Sequence, residues 1–223
     1  MNLSWGQWII DRLKLMPENG RYILIIRHSE RVSFDGIPIE QWNSVGITER
    51  GKQAAFEFGR ALIDEVGLES VYTEGWGLER CADTAAKIFE GASASGCRNC
   101  KFSKTSYLES PIADHDGYMN LLKSGKWNEI LVEWLSSPSD GWPMKPYAAY
   151  SENILREVLK NSTPATNSAG IIVTHDLHIF PIITANFGLV KLDLDFMDGI
   201  LISKTDSDTR IFHRDLTSTM SDI

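Results

Sequence analysis

An uninterrupted apolar run from Tyr22 to Ile26 ends abruptly in the polar residues Arg27 and His28. Five large or β-branched apolar residues without polar alternation are typical of a parallel strand that is covered on both faces. Arg27 and His28 are therefore predicted at the carboxyl end of a buried strand. In open α/β sheets ligands bind in the crevice outside the carboxyl ends of the strands, so we expect a polar site there.

The pair of Arg27 and His28 suits the chemistry of phosphate. A neutral imidazole is a competent nucleophile towards phosphorus. A neighbouring guanidinium orients a phosphate through paired hydrogen bonds and disfavours protonation of the imidazole. The alternative is an ordinary strand end with a solvated arginine, which is the commoner reading of an isolated Arg-His pair. The rest of the chain decides between the two.

A second apolar run, Ala169 to Thr174, ends in His175 and Asp176. Two strands that each place a histidine at the carboxyl end provide what a phosphoryl-transfer pocket needs. One imidazole attacks, and the other stabilises charge on the equatorial oxygens. The alternative for His175 is a core histidine. Together with His178 these residues also suggest metal ligands, but arginines nearby would oppose a cation, so we predict no metal.

Four short segments carry a recognisable pattern. They are Arg27–Ser29; Ile47–Ala54, which reads ITERGKQA; Glu79–Ala85, which reads ERCADTA; and Val173–Asp176, which reads VTHD. In this order they resemble the histidine phosphatase superfamily, the group of phosphoglycerate mutases and acid phosphatases. That family usually has Arg-His-Gly in the first segment and Leu-Thr-x-x-Gly-x-x-Gln-Ala in the second. The resemblance spans roughly residues 21–203, most of the chain.

The resemblance implies an α/β fold, a three-layer α/β/α sandwich with a mostly parallel central sheet and a small helical cap insertion at approximately residues 109–146. It implies a metal-independent phosphatase without a cofactor, which acts on a small phosphorylated metabolite through a phosphohistidine at His28. Two alternatives stay open: a phosphotransferase similar to phosphoglycerate mutase, and a phosphate-binding relative without catalytic activity.

The resemblance also implies roles for individual residues. His28 is the nucleophile, and the general acid is Asp176 or Glu109. Asp176 is preferred because the sequence that follows Glu109 departs from the mutase pattern. The expected phosphate ligands are cationic or imidazole side chains: Arg27, Arg31, Arg80 and His175.

Helix and strand signals place these motifs on regular elements. Thr48 is predicted as the N-cap of a helix that ends at Gly67, and a second helix is predicted from about Leu78, with Arg80 in its first turn. An amphipathic helix is expected over Leu3–Leu15. Further strands are predicted at Ser70–Thr73, Phe102–Leu108, Gly199–Ser203 and Arg210–His213, with a frayed tail after the last, and helices are predicted within Tyr118–Ser136 and around Tyr150–Leu159.

Composition bounds the remaining possibilities. A chain of 223 residues with 43% apolar content fits one domain, taken as residues 1–223. The net charge of −8 argues against a broad nucleic-acid surface. Neither a membrane-spanning apolar run nor a signal peptide is recognisable, so we expect a cytoplasmic protein that does not bind membranes. The sequence indicates neither the substrate nor the oligomeric state.

The three cysteines are Cys81, Cys97 and Cys100. An odd, small number of cysteines does not make a disulfide framework, which agrees with the expected cytoplasmic location. The Cys97-x-x-Cys100 pair is interpreted as two thiols in a surface loop, with a zinc or redox role as the alternative. His115 lies between two aspartates but has no partner histidine at ligand spacing, so a solvated loop is expected rather than a metal site.

Overall fold

The computed structural model describes residues 3–105, 108–136, 142–162, 164–190, 193–205 and 208–220. The described strands are β1 (Arg21–Arg27), β2 (Ser70–Trp76), β3 (Lys101–Thr105), β4 (Ser168–Thr174), β5 (Gly199–Lys204), β6 (Thr209–His213) and β7 (Leu216–Thr219). The described α-helices are α1 (Gln7–Leu13), α2 (Glu49–Asp64), α3 (Glu79–Ala94), α4 (His115–Lys123), α5 (Trp127–Ser136), α6 (Tyr147–Asn161) and α7 (Asp176–Phe187), and a 3-10 helix covers Ile39–Ser44.

The seven strands form one mixed sheet in the order β3-β2-β4-β1-β5-β6-β7. The four strands from β3 to β1 are parallel. Strands β5, β6 and β7 extend the sheet in antiparallel pairings. The predicted α/β fold with a mostly parallel central sheet is confirmed, and the antiparallel part is confined to one side of β1.

Strand β1 is buried on both faces, which explains its lack of polar alternation. Leu24 and Ile26 pack on one face of the sheet in a core with helices α1, α2 and α3. Ile23 and Ile25 pack on the opposite face with α5, α6 and α7. Because successive side chains of a strand point to opposite faces, a central strand between two helical layers must be apolar throughout.

Helices α2 and α3 cross at two glycines. A Cβ atom at Gly59 would lie 2.0 Å from the carbonyl oxygen of Ile88, and one at Gly91 would lie 1.9 Å from that of Phe56. Both distances are far shorter than any real contact, so the two backbones touch only because neither glycine has a side chain. This crossing sets the position of α3, which carries Arg80 at its other end.

Several element boundaries differ from the sequence-based expectation. Helix α1 is shorter than Leu3–Leu15, because the left-handed backbone of Gly6, with a φ of 76°, precedes its first residue. Strand β2 extends to Trp76, beyond the predicted end at Thr73. The predicted frayed tail is wrong, since Leu216–Thr219 pairs with β6. Strand β3 begins one residue earlier than predicted, and part of the expected strand, residues 106–107, lies outside the described residues.

The expectation of two free thiols at Cys97 and Cys100 is wrong. The two residues form a disulfide in the turn after α3, with their Cα atoms 5.9 Å apart. That separation lies within the range a disulfide can bridge. Cysteine usage therefore gives no support for a reducing compartment. Within the described ranges, no helix combines the length and the apolar content that are needed to cross a membrane.

Candidate active site

His28 and His175 follow the carboxyl ends of the neighbouring parallel strands β1 and β4. Arg27 is in register with Thr174, and the His28 backbone N–H donates to the Thr174 carbonyl over 3.0 Å. The two imidazole rings lie edge to face, with centroids 5.3 Å apart and planes inclined at 68°. The structure therefore brings together the two histidines that the sequence places at separate strand ends.

The His28 ring is buried and electrically neutral. Its Nδ1 lies 2.8 Å from the Ser29 carbonyl oxygen, which can only accept, so Nδ1 carries the proton. Burial is the largest cause that lowers the pKa of His28 to about 3; the positive charges of Arg80, Arg27 and Arg31 also lower it, whereas the bond to Ser29 acts in the opposite direction. Nε2 therefore keeps its lone pair, as a nucleophile towards phosphorus requires.

His175 is held by a residue that sequence reasoning did not single out. The buried thiol of Cys81, in the first turn of α3, lies 3.3 Å from Nε2 of His175. Burial raises the pKa of Cys81, so the thiol stays protonated, and burial lowers the pKa of His175 well below its ordinary value. The side chain of Trp76 contacts the same ring edge to face, with centroids 5.7 Å apart. The second imidazole is therefore neutral and fixed in orientation.

Arg27 packs between an aromatic ring and a carboxylate. Its guanidinium lies 4.9 Å from the Phe196 ring centroid, and its Nη2 lies 3.6 Å from Oδ2 of Asp176. It also donates to the Leu194 carbonyl. Its Nε is buried and has no acceptor among the described residues. Asp176 begins α7, and its Oδ1 accepts from the N–H of Leu177, so the carboxylate is directed by the helix start.

Arg80 enters the same cluster from the first turn of α3, as predicted for a helix starting near Leu78. The side chain is 7% exposed, and its Nη1 donates to the Trp42 carbonyl over 2.9 Å. Burial lowers the pKa of Arg80, and its Nε, like that of Arg27, is buried without an acceptor among the described residues. A guanidinium so far removed from water is costly unless an anion or polar partner accompanies it.

Arg31 is the third guanidinium of the cluster and is half-buried. Burial lowers its pKa, and the neighbouring charges of Arg27 and Arg80 act in the same direction. Its Cζ lies 3.3 Å from the centroid of the Phe34 ring. The cluster of Arg27, Arg31 and Arg80 is called the arginine clamp below.

A buried hydroxyl network fixes the loop that carries His28. The N–H of Ser29 donates to Oγ1 of Thr84 over 3.0 Å, and Thr84 in turn donates to the Arg80 carbonyl over 2.8 Å. The Ser29 hydroxyl, 3.1 Å from Oγ1 of Thr84, adds a third bond. Ser29 therefore ties the segment after His28 to α3, and its hydroxyl adds a bond that the usual glycine could not make.

Helix α2 braces the other side of this segment. Oγ1 of Thr48, the predicted N-cap, accepts from the Gly51 N–H over 2.9 Å and donates to the Glu30 carboxylate over 2.6 Å. A Cβ atom at Gly51 would lie 2.3 Å from the Glu30 carbonyl oxygen. The spacing of threonine and glycine in this motif therefore reflects close backbone packing against the residues after His28.

The carboxylate of Glu109 pairs with a lysine that is not part of the arginine cluster. This lysine is Lys145, and the side chain of Glu109 is 63% exposed. The backbone carbonyl of Glu109 accepts from the Tyr150 hydroxyl over 2.8 Å. The predicted residues that the structure brings together are Arg27, His28, Arg31, Arg80, His175 and Asp176.

His178 belongs to a buried support behind the site. Because the Tyr150 hydroxyl gives its proton to the Glu109 carbonyl, Nδ1 of His178 donates to the Tyr150 oxygen. The Trp76 ring packs edge to face on His178, with centroids 4.2 Å apart, as well as on His175. Burial lowers the pKa of His178 to about 3. His178 is therefore bonded to a tyrosine.

His115, which was expected in a solvated loop, is exposed but lies at the start of helix α4.

Solved structures of three proteins share this arrangement of strands and helices. A phosphoglycerate mutase from Bacillus anthracis is 13% identical, with 91% of this chain and 92% of that chain covered and a TM-score of 0.52. A mycobacterial hydrolase is 16% identical over 89% of this chain and 100% of that chain, with a TM-score of 0.57. A mycobacterial glucosyl-3-phosphoglycerate phosphatase is 16% identical over 82% of this chain and 90% of that chain, with a TM-score of 0.51.

The chain has the same fold as these three proteins. The predicted resemblance is confirmed at the level of the fold, which this chain shares with a phosphoglycerate mutase, a hydrolase and a phosphatase at 13–16% identity. No family model and no curated protein matches the sequence. This fold explains why the motif residues converge: the segments around Arg27 and His175 follow adjacent parallel strands, and Arg80 lies in the first turn of the helix after β2.

Proposed function

We propose that the protein is a metal-independent phosphomonoesterase that acts on a small phosphorylated metabolite through a phosphohistidine at His28. The observation that carries the proposal is a pair of buried N–H donors, the Nε atoms of Arg27 and Arg80, which have no acceptor among the described residues. The positive charges of the same two arginines lower the pKa of the neutral His28. Buried donors require partners, and a phosphate group offers several acceptor oxygens in the geometry of a guanidinium.

The first chemical step forms one bond and breaks another. Nε2 of His28 attacks phosphorus in line with the ester oxygen, so that a P–N bond forms while the P–O bond to the alcohol breaks. Asp176 gives its proton to the departing oxygen. In the second step Asp176 takes a proton from water, whose oxygen attacks the phosphohistidine. This step restores free His28 and protonated Asp176 and releases inorganic phosphate.

The arginine clamp and His175 hold the phosphoryl group through both steps. Each charge-assisted hydrogen bond to an arginine contributes on the order of 1.5–3 kcal/mol. The clamp supplies the positive charge that stabilises the equatorial oxygens of the transition state. A cation placed among three guanidinium groups would be repelled, which supports a reaction without a metal ion.

The placement of the carboxylates favours Asp176 over Glu109 as the general acid. Oδ2 of Asp176 lies 3.6 Å from Nη2 of Arg27. Its negative charge acts to raise the pKa values of Arg31 and Arg80, so the carboxyl group is within the cluster. Glu109 is exposed and paired with Lys145. A general acid must come within hydrogen-bond reach of the oxygen that it protonates.

Residues 109–146 act in this proposal as a cap within a single domain. Tyr118 of α4 is half-buried, and burial raises its pKa to about 12, with the charge of Asp176 acting in the same direction. An ion pair of 3.9 Å joins Lys123 of α4 to Glu40, in the segment that follows Arg31. These contacts support a role for α4 in enclosing the alcohol portion of the substrate.

The experiment that tests the proposal is a panel of phosphomonoesters assayed for phosphate release, with the unchanged protein, His28→Ala and the exposed control Arg98→Ala. We expect turnover by the unchanged protein and by the control, with or without a chelator, and none by His28→Ala. Chelator-sensitive turnover, or full activity of His28→Ala, would overturn the mechanism. Isomerisation of phosphoglycerate without phosphate release would identify a phosphotransferase, and binding of phosphate without turnover a non-catalytic relative.

A further inference from the structure

Two aromatic rings of the segment after His28 pack against the arginine clamp. The rings of Phe34 and Trp42 are stacked in parallel, with centroids 4.3 Å apart and planes inclined at 2°. Cζ of Arg31 lies 3.3 Å from the centroid of Phe34. Guanidinium, phenyl ring and indole therefore form a stack of three flat groups.

The same segment also holds Arg80. The Trp42 carbonyl accepts from Nη1 of Arg80 over 2.9 Å, and Cζ of Arg80 lies 5.9 Å from the Phe34 ring centroid. The indole N–H of Trp42 donates to the Ile37 carbonyl over 3.0 Å, which fixes the ring relative to its own backbone. Two of the three clamp arginines thus depend on contacts with one short segment.

The two ends of this segment pair with each other. The Val32 N–H donates to the Gly46 carbonyl over 3.1 Å, and Arg31 forms an isolated antiparallel bridge with Ile47. Ile47 immediately precedes the Thr48 cap of α2. The aromatic pair therefore sits on a closed loop whose base is continuous with the helix that braces His28.

The clamp needs such support because its charges repel one another. The charges of Arg27, Arg31 and Arg80 all lower the pKa of His28. The charges of Arg27 and Arg80 also lower the pKa of Arg31, and that of Arg27 lowers the pKa of Arg80. The negatively polarised face of an aromatic ring attracts a guanidinium and offsets part of that repulsion. A guanidinium stacked on a ring keeps its N–H groups in the plane, where they remain available to the oxygens of a phosphate.

We propose that Phe34 and Trp42 are positioning residues, which hold Arg31 and Arg80 in the geometry that binds the phosphoryl group. The inference rests on the proposed function, because it assigns the arginines to phosphate. It assigns no chemistry to the rings themselves. Their contribution is to keep two like-charged side chains in place before the phosphate arrives, which lowers the cost of binding.

The test measures binding of inorganic phosphate by calorimetry, together with KM and kcat for one phosphomonoester. Phe34→Leu removes the ring face, and we expect phosphate affinity to fall by about threefold to tenfold, with a matching rise in KM and a smaller change in kcat. Trp42→Leu should weaken binding in the same direction. Phe34→Tyr keeps an aromatic face, so its phosphate affinity should stay within about twofold of that of the unchanged protein. The matched control is Phe102→Leu on the exposed edge strand β3, which should bind phosphate as the unchanged protein does.

A double-mutant cycle separates positioning from a general loss of stability. If Phe34 acts through Arg31, Phe34→Leu should lose most of its effect on phosphate affinity when it is introduced into Arg31→Gln. Equal losses in both backgrounds, or unaltered affinity of Phe34→Leu in a protein with an unchanged melting temperature, would overturn this inference alone. Failure of the unchanged protein to bind phosphate would remove the proposed function, and this inference with it.

Discussion

The imidazole rings of His28 and His175 face each other edge to face, 5.3 Å apart, and both are neutral. Burial is the main reason that both pKa values are low, and the charges of the arginine clamp act in the same direction. The positive charge of the site therefore lies on guanidinium groups, which stay protonated throughout the physiological pH range. This division leaves one imidazole free to attack and the other free to donate a hydrogen bond.

Replacing Asp176 tests the assignment of the general acid. We expect Asp176→Asn to lower kcat for an alkyl phosphate by about a hundredfold to ten-thousandfold, because the departing alkoxide is left without a proton. The loss should shrink for an aryl phosphate, whose departing oxygen needs no proton. Steady-state phosphate release from both substrates measures the difference. Glu109→Gln is the comparison, and a loss there as large as in Asp176→Asn would reverse the assignment.

Replacing Arg80 tests the arginine clamp. Arg80→Gln removes a buried guanidinium, and we expect the dissociation constant of inorganic phosphate to rise by about tenfold to a hundredfold. Calorimetric titration measures the change directly. Arg98→Gln, at an exposed position in the turn after α3, is the matched control and should leave the affinity unaltered. Similar affinities for the two variants would show that Arg80 does not bind the phosphate.

The contact between Cys81 and His175 gives a graded prediction. Cys81→Ala removes the group 3.3 Å from Nε2, and we expect kcat to fall by about twofold to tenfold, the range for one neutral hydrogen bond. Cys81→Ser keeps a hydroxyl that can bond to the same nitrogen and should retain more activity than the alanine variant. Kinetic comparison of the two variants decides the matter, and an alanine variant more active than the serine variant would argue against the contact.

Buried histidines make stability depend on pH. Burial holds the pKa of His28 and of His178 at about 3 and that of His175 well below 6.5, whereas each returns to about 6.5 in the unfolded chain. Below about pH 6.5 the unfolded chain binds more protons than the folded protein, so the free energy of unfolding falls as the pH falls. Each histidine adds a slope of up to about 1.4 kcal/mol per pH unit.

Urea unfolding between about pH 7.5 and about pH 5 measures this slope. The exposed His115 serves as the control, since His115→Gln should leave the pH dependence as it is. His178→Gln should reduce the slope of unfolding free energy against pH by the contribution of one histidine, up to about 1.4 kcal/mol per pH unit. An unfolding free energy that stays constant down to about pH 5 would contradict the burial of these rings in neutral form.

The glycine crossing of α2 and α3 gives a prediction about packing. A methyl group at Gly59 would collide with the Ile88 carbonyl, so we expect Gly59→Ala to destabilise the protein by about 1–3 kcal/mol. Gly46→Ala is the control, because a Cβ atom there meets no heavy atom within 4 Å. Thermal or urea unfolding compares the two variants. Equal stability would mean that the two helices can separate without cost.

The parts of the fold that the sequence predicts well are those set by neighbouring residues. The apolar run of β1 and the Thr48 cap follow from local burial and local hydrogen bonding. Asp176 is placed near the arginines because it directly follows β4 and a histidine at the strand end.

The parts that were missed depend on how distant or irregular segments pack. The stack of Phe34 and Trp42 lies in a loop without periodicity, so no spacing pattern signals it. The ion pair of Glu109 with Lys145 joins residues that are distant in the sequence, so the residues around Glu109 do not reveal it. The disulfide between Cys97 and Cys100 depends on the turn geometry after α3.

Strand β1 is the fourth of seven in the sheet, with three strands on either side. Its amides and carbonyls are shielded by β4 and β5, and its side chains are shielded by helices on both faces. Such a strand exchanges its amide hydrogens only in the rarest openings of a protein. The proposed nucleophile, His28, is therefore attached to the part of the molecule that unfolds last, and any adjustment to an incoming substrate must be made by the loops around it.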